Sequence, residues 1–205
     1  MKSLVRKIAL GILILAPCIA GRAEDVSIVI ASNAAPRVQF GAEKLAEALN
    51  ESKFNAAIVR SENTPGRKVW VGSRDDSIPH EGFHFGLGDN NDVSIFSSDD
   101  SGTLYGCLEL AKQIRAEGRF PADMVNFRDQ PAMTLRGTCI GMQKTVILPG
   151  RKVYEYPYTP ELFPWFYDKN LWREYREFLA ENRMNTLYLW SGQPFASLVR
   201  LKDYP

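Results

Sequence analysis

The sequence predicts an α/β protein, a small mixed α/β domain followed by the first β/α/β of a truncated (β/α)8 TIM barrel. Three observations carry that expectation. Segments of strand period and helix period interleave between residues 24 and 120, as in small mixed α/β domains. Glu117 to Pro131 (EGRFPADMVNFRDQP) is rich in turn formers and charge, which suits a connection between units. Beyond it come a strand, a helix and a second strand with little polar alternation, the pattern of a βαβ unit in a parallel sheet. The expected organisation is a signal peptide at 1–23, the small domain at 24–120, a linker at 121–131 and the start of an incomplete barrel at 132–205.

Lys2, Arg6 and Lys7 precede an apolar run from Ile8 to Ala16, with small residues at Gly21 and Ala23. The pattern resembles a secretory signal peptide, expected to be cut after Ala23 or Ala20, and the run falls short of the roughly 20 apolar residues that span a bilayer. Export to the periplasm or the cell exterior is therefore expected, with no stable membrane insertion after cleavage. A second reading of LAPC, Leu15 to Cys18, is a lipoprotein signal that would anchor the chain through Cys18.

The elements of the small domain follow from period and punctuation. Val26 to Ala31 is β-rich and apolar, and Asn33 to Asn50 has Pro36 near its start with Ala42, Leu45, Ala46 and Leu49 at helical spacing. Ala56 to Arg60 and Lys68 to Gly72 are short strands separated by the turn SENTPG, and Phe83 to Leu87 joins Asp92 to Ser97 through GDNND. From Ser101 to Ile114 a helix aligns Leu104, Cys107, Leu108, Ala111 and Ile114, with Asp99, Asp100 or Ser101 as its cap.

In the second unit Thr134 to Met142 is a predicted strand, Asn170 to Glu181 a helix and Asn185 to Trp190 a strand. The stretch from Ala132 to Pro205 is far shorter than the roughly 250 residues of a complete barrel, so the chain is expected to stop early in that fold. Arg136 interrupts an otherwise apolar strand. It is either a structural ion pair inside the barrel or a guanidinium that offers its donors to substrate hydroxyls. The long connection after that strand carries Tyr154, Tyr156, Tyr158, Phe163, Trp165, Phe166 and Tyr167, and loops after barrel strands form the active-site mouth. Flat rings with polar tips suit sugars, so Tyr156 and Trp165 are candidate substrate contacts. Trp190 and Gln193, at the end of the second strand, would stand at the same mouth.

Composition excludes some classes. The 205 residues are 45% hydrophobic and 24% charged, and 25 Lys and Arg against 24 Asp and Glu leave a net charge of +1. No long-range field favours nucleic acid. HEGFH, His80 to His84, satisfies the H-E-x-x-H zinc signature, but the glycines around it and the alternation of Phe83, Phe85 and Leu87 argue for a strand. There the imidazoles would lie about 13 Å apart, too far to share an ion. The glycines of DDSGTLYGCLEL lack the Gly-Lys-Ser/Thr ending of a phosphate loop. Neither a metal nor an organic cofactor is expected. Cys107 and Cys139, among apolar neighbours, are expected as small buried hydrophobes.

At DQPAMTLRG, Asp129 to Gly137, and FLAENRMNTLYLW, Phe178 to Trp190, the chain resembles exported glycoside hydrolases of family 20 type. Asp129, Pro131, Arg136 and Gly137 match the family's stretch into the first barrel strand, and Met184 and Asn185 its entry to the second. EGFHFGL at Glu81 and DDSGTLYGCLEL at Asp99 resemble the small α/β domain of those enzymes. The resemblance implies hydrolysis of glycosidic bonds in oligosaccharides or glycans, a carbohydrate substrate, and a hydroxyl-binding role for Arg136. WSGQPF replaces the family's H-x-x-D run, and the aromatic loop is atypical. The resemblance puts the catalytic Asp-Glu pair on a fourth barrel strand, beyond Pro205, so no catalytic residue is expected within this chain and the chain alone is expected to be inactive. Glu155 and Glu161 match neither role. The alternative is a non-catalytic glycan-binding or scaffold protein that retains the same domain.

Overall fold

A computed structural model describes residues 23–141, 160 and 163–190. Six strands form one sheet in the order β2-β1-β3-β5-β4-β6. They are β1 (Asp25–Val29), β2 (Asn55–Val59), β3 (Arg67–Arg74), β4 (Phe83–Leu87), β5 (Val93–Ser97) and β6 (Arg128–Asp129). The pairs β1/β2, β1/β3 and β3/β5 are parallel, whereas β4 runs antiparallel to both β5 and β6. Helices α1 (Pro36–Glu51) and α2 (Asp100–Glu117) pack on this sheet and on each other.

Each helix begins and ends where its sequence requires. Pro36 occupies the first turn of α1, where its missing N–H costs nothing. Asp99 caps α2 by accepting from Ser101 N and Gly102 N, and Gly118, at φ 68°, closes it by donating to the Ile114 carbonyl. Val38, Ala42, Leu45, Ala48 and Leu49 of α1 meet Leu104, Cys107, Leu108, Ala111 and Ile114 of α2 over Ile28, Val69, Val93 and Ile95. Each fully buried aliphatic side chain contributes on the order of 1.5–3 kcal/mol, which makes this layer the main source of stability.

The stretch expected as a linker is folded onto this unit through Asp129. Phe120 and Met124 are buried and Phe127 packs against the same core, while Arg128 and Asp129 add an edge strand to β4. Turn formers on the surface of the segment masked its two apolar anchors, Met124 and Phe127.

A second, two-stranded parallel sheet pairs β7 (Gly137–Gly141) with β8 (Thr186–Trp190). Between them lie α3 (Pro164–Tyr167) and α4 (Lys169–Glu181), the latter capped by Asp168 through Asn170 N and Leu171 N. The strand expected from Thr134 begins only at Gly137. Arg136 makes a corner instead, its carbonyl accepting from Asn185 N and Thr186 N at 2.8 and 3.0 Å. Gly137 must follow, because a Cβ there would lie 1.9 Å from the Thr186 carbonyl oxygen. The hydroxyls of Thr138 and Tyr175 hydrogen-bond and tie β7 to α4. Cys107 is buried as expected, but Cys139 is exposed, since among the described residues no layer covers its face of β7.

Candidate functional site

The polar groups concentrate where the two sheets meet. Gly102, in the first turn of α2, lets the loop before β4 approach so closely that a Cβ would sit 2.2 Å from the Gly82 carbonyl oxygen. Asp99 reinforces the contact. One of its oxygens caps α2 and the other accepts the Glu81 N–H at 2.6 Å. Burial pushes the Asp99 carboxyl up, but the N–H groups of Glu81, Gly102 and Ser101 and the neighbouring His80 outweigh it, so its pKa lies below the ordinary carboxylate value. Glu81 is thereby held at φ 62°, a left-handed conformation that a non-glycine residue adopts at a cost of about 1–3 kcal/mol. Its carboxylate, only 6% exposed, points at the second unit.

Arg136 receives it. Its Nη2 donates to Glu81 Oε2 at 2.6 Å, Nη1 to the Met133 carbonyl at 2.7 Å and Nε to the Arg183 carbonyl at 2.8 Å. All three guanidinium nitrogens are engaged within the protein. Of the two readings of Arg136, its contacts describe the ion pair, and the pair spans the junction rather than lying inside a barrel. Asn185 completes the cluster. Its Nδ2 donates to both Glu81 oxygens at 3.2 Å and to the Thr134 carbonyl, while its Oδ1 accepts from Arg136 N.

A second arginine repeats the arrangement alongside. Arg183, also left-handed at φ 56°, donates to Asp129 and Glu109 and lies over the Phe83 ring at 5.3 Å. A cavity of about 120 Å³ remains between the two clusters, bordered by Glu81, Phe83, Tyr105, Arg136 and Arg183. Burial, and next the Glu81 charge, raise the Tyr105 pKa, with Arg136 opposing. The tyrosine therefore stays a neutral phenol beside the pair.

The residues of HEGFH go separate ways. His84 Nε2 lies 3.2 Å from Asp75, His80 Nε2 lies 3.9 Å from Asp99, and Glu81 holds Arg136. Among the described residues no group of three or more potential ligands could hold a metal ion. His84 stacks on Phe96 at 4.8 Å and lines a cleft of about 500 Å³ with Asp75, Ser77, Pro79 and Arg128. The Ser77 hydroxyl, then its N–H, and then His84 hold the Asp75 carboxyl below the ordinary value. This trio has the aspartate in the middle, accepting a hydrogen bond from the Ser77 hydroxyl at 2.6 Å, and the imidazole faces the aspartate rather than the serine. Nucleophile activation needs the imidazole on the hydroxyl, so the arrangement is not a hydrolytic triad. Burial pushes the Cys107 thiol up to about 12, which leaves it unreactive.

The other sequence candidates are scattered. Trp165 lies on α3, half-buried against Phe166 and Trp172 at 6.0 and 6.1 Å. Trp190 ends β8, its backbone paired with Gly141. Tyr156 and Gln193, with Glu155 and Glu161, lie outside the described residues. No described helix is long and apolar enough to cross a membrane.

Glu81, Glu109 and Arg183 are absent from the sequence-based candidates, although EGFHFGL and the strand around Arg136 are both recognisable. The signal was there: a glutamate ahead of an apolar strand and an arginine at the entrance to another are two opposite charges that each need a partner.

No family model matches the chain, and no curated protein does. Solved structures do. A GH138 enzyme targeting pectin rhamnogalacturonan II is 43% identical over 88% of this chain and 26% of its own, with a TM-score of 0.74. A GH115 4-O-methyl-alpha-glucuronidase with specificity for decorated arabinogalactans is 18% identical, covering 82% of this chain and 25% of its own at a TM-score of 0.56. The beta-N-acetylhexosaminidase from Bacteroides fragilis is 15% identical over 82% of this chain and 28% of its own, at a TM-score of 0.51. The chain thus spans about a quarter of the length of these proteins. What unites them with this mixed α/β chain and its parallel-rich sheet is a glycoside hydrolase-like fold.

Proposed function

We propose that this chain is the N-terminal part of an exported glycoside hydrolase that cleaves O-glycosyl bonds in a pectic glycan. The carrying observation is the 43% identity to the GH138 enzyme, which extends over 88% of the chain. The 15% identity to the hexosaminidase supports only the fold, so a pectic substrate is favoured over an N-acetylhexosaminide. The parallel pair β7/β8 joined through α4 is read as the first β/α/β of a (β/α)8 barrel. Leu171, Phe178 and Tyr188 remain exposed on it, as the opening staves of a barrel would leave them.

Glycoside hydrolysis needs one carboxylic acid to protonate the leaving oxygen and a second group to support the cationic transition state. Those groups are assigned to residues beyond Pro205. Tyr156 follows β7 in the chain, Trp190 ends β8 and Gln193 follows it; barrel substrates bind at the C-terminal ends of the strands, so the three are kept as sugar contacts. Trp165 belongs to the same wall but is committed to packing on Trp172. Arg136 precedes its strand, at the end away from that mouth, and is not kept as a sugar ligand.

The test compares the product of the reading frame continued past residue 205 with the 205-residue chain, on rhamnogalacturonan II oligosaccharides, by released sugar. Release by the longer product alone is expected. Release by the 205-residue chain would overturn the placement of the carboxylates, and no release by either would favour a glycan-binding role. Export is checked by the first residue of protein recovered outside the cytoplasm, expected to be Gly21 or Glu24.

A further inference from the structure

The polar contacts between the two units pair basic or amide side chains with carboxylates. Arg136 and Asn185 reach Glu81, Arg183 reaches Asp129 and Glu109, and Lys44 of α1 lies 3.2 Å from Glu177 of α4. On the apolar side, Ala180 is the α4 residue that packs against the first core. Cavities of about 120 and 730 Å³ border the junction, so shape fit alone leaves its angle poorly defined. Directional, charge-assisted hydrogen bonds supply what packing does not, and they are strongest where the groups are buried. Glu81 is 6% and Arg136 15% exposed. Both residues that bend into the junction, Glu81 and Arg183, are held left-handed, a conformation that persists where surrounding contacts over-determine it.

We infer that Glu81, Arg136 and Asn185, seconded by Arg183 with Asp129 and Glu109, form a latch that fixes the orientation of the β7–α4–β8 unit on the six-stranded sheet. Arg136 and Asn185 immediately precede β7 and β8, so the latch grips both strands by their N-terminal ends. Their C-terminal ends, at Gly141 and Trp190, are left away from it. The latch does not depend on the glycosidase reading. It would hold the two units in register whatever the second unit goes on to build.

Spin labels test it in the 205-residue chain with Cys18→Ser. One label goes on Cys139, exposed on β7, and one on Glu43→Cys, exposed on α1; the buried, protonated Cys107 takes none. The parent should give one narrow distance distribution. Glu81→Gln and Arg136→Gln should each broaden it at least about twofold, and the double variant should be no broader than either, because the two groups act as one pair. Arg136→Lys, which keeps the charge but loses the fork, should broaden it as well. Amide exchange in β1, β3 and β5 should stay at the parent rate in all of them. An unchanged width in the single variants, additive broadening in the double, or lost protection in the first sheet would each overturn the latch, the last by showing that the pair holds the core instead.

Discussion

Phe85 on β4 is 1% exposed and Phe178 on α4 is 50% exposed, yet both stand on the apolar face of an element whose period is plain in the sequence. The first is roofed by α2 and flanked by Phe83 and Phe127, with ring centroids at 5.5 Å to each. The second stacks on Tyr175 at 6.2 Å and keeps half of its surface exposed. Their units differ in the same way. The six-stranded sheet and its helices enclose a continuous core, whereas in the second unit Phe163, Phe166 and Leu179 are buried while Leu135, Leu171 and Tyr188 are exposed. Period tells which face of an element is apolar. It does not tell whether a second layer lies against that face.

The sharpest way to break this comparison is to empty a site in the enclosed core. Phe85→Ala should destabilise the first unit by about 3–5 kcal/mol, the cost of removing a fully buried ring and leaving a cavity. Urea denaturation read by circular dichroism measures it. A loss below about 1 kcal/mol would mean that the first core is not the closed layer that its burial describes.

An intermediate effect is expected at Asp99, which belongs to both regions because it caps α2 and also fixes the Glu81 loop. Asp99→Ala should cost about 1–2 kcal/mol at pH 7, as loss of a helix cap does. The pH dependence has a definite sign. The folded-state pKa of Asp99 is lowered, so its contribution is complete above the ordinary carboxylate value and is lost as pH falls through the folded value. The stability difference between parent and variant should therefore shrink on acidification from pH 5 toward pH 2. A constant difference over that range would assign the cap to Ser101 or Asp100 instead.

The first unit was legible almost element by element because its signals are local. Pro36 stands near the start of a helix, Asp99 stood among the expected caps of another, and GDNND turns between antiparallel β4 and β5. The junction was not legible, for a physical reason. Glu81 and Arg136 are far apart in sequence, and their meeting depends on a left-handed turn and on the Gly102 contact, neither of which has a periodic signature. Each charge was visible separately, Glu81 within a motif with a zinc reading and Arg136 as an interruption of a strand. Cys139 fails for the converse reason, since its apolar neighbours suggested burial but burial required a layer over β7.

The smallest effect sharpens the comparison most. Phe178→Ser, made in the same 205-residue chain, should change stability by no more than about 0.5–1 kcal/mol, because half of the ring is already in water and serine and phenylalanine have similar helix propensities. Leu171, Tyr175 and Phe178 recur at four and three residues, so they form one stripe along α4, and the exposed part of that stripe has no cost yet to lose. If the chain is the start of a barrel, the same substitution in the longer product should cost several times more, since a following element would then seal the ring. Paired urea titrations of the two lengths read this ratio directly. An equal small cost in both would mean that Phe178 faces water in the longer protein as well, and the stripe would no longer support the barrel reading.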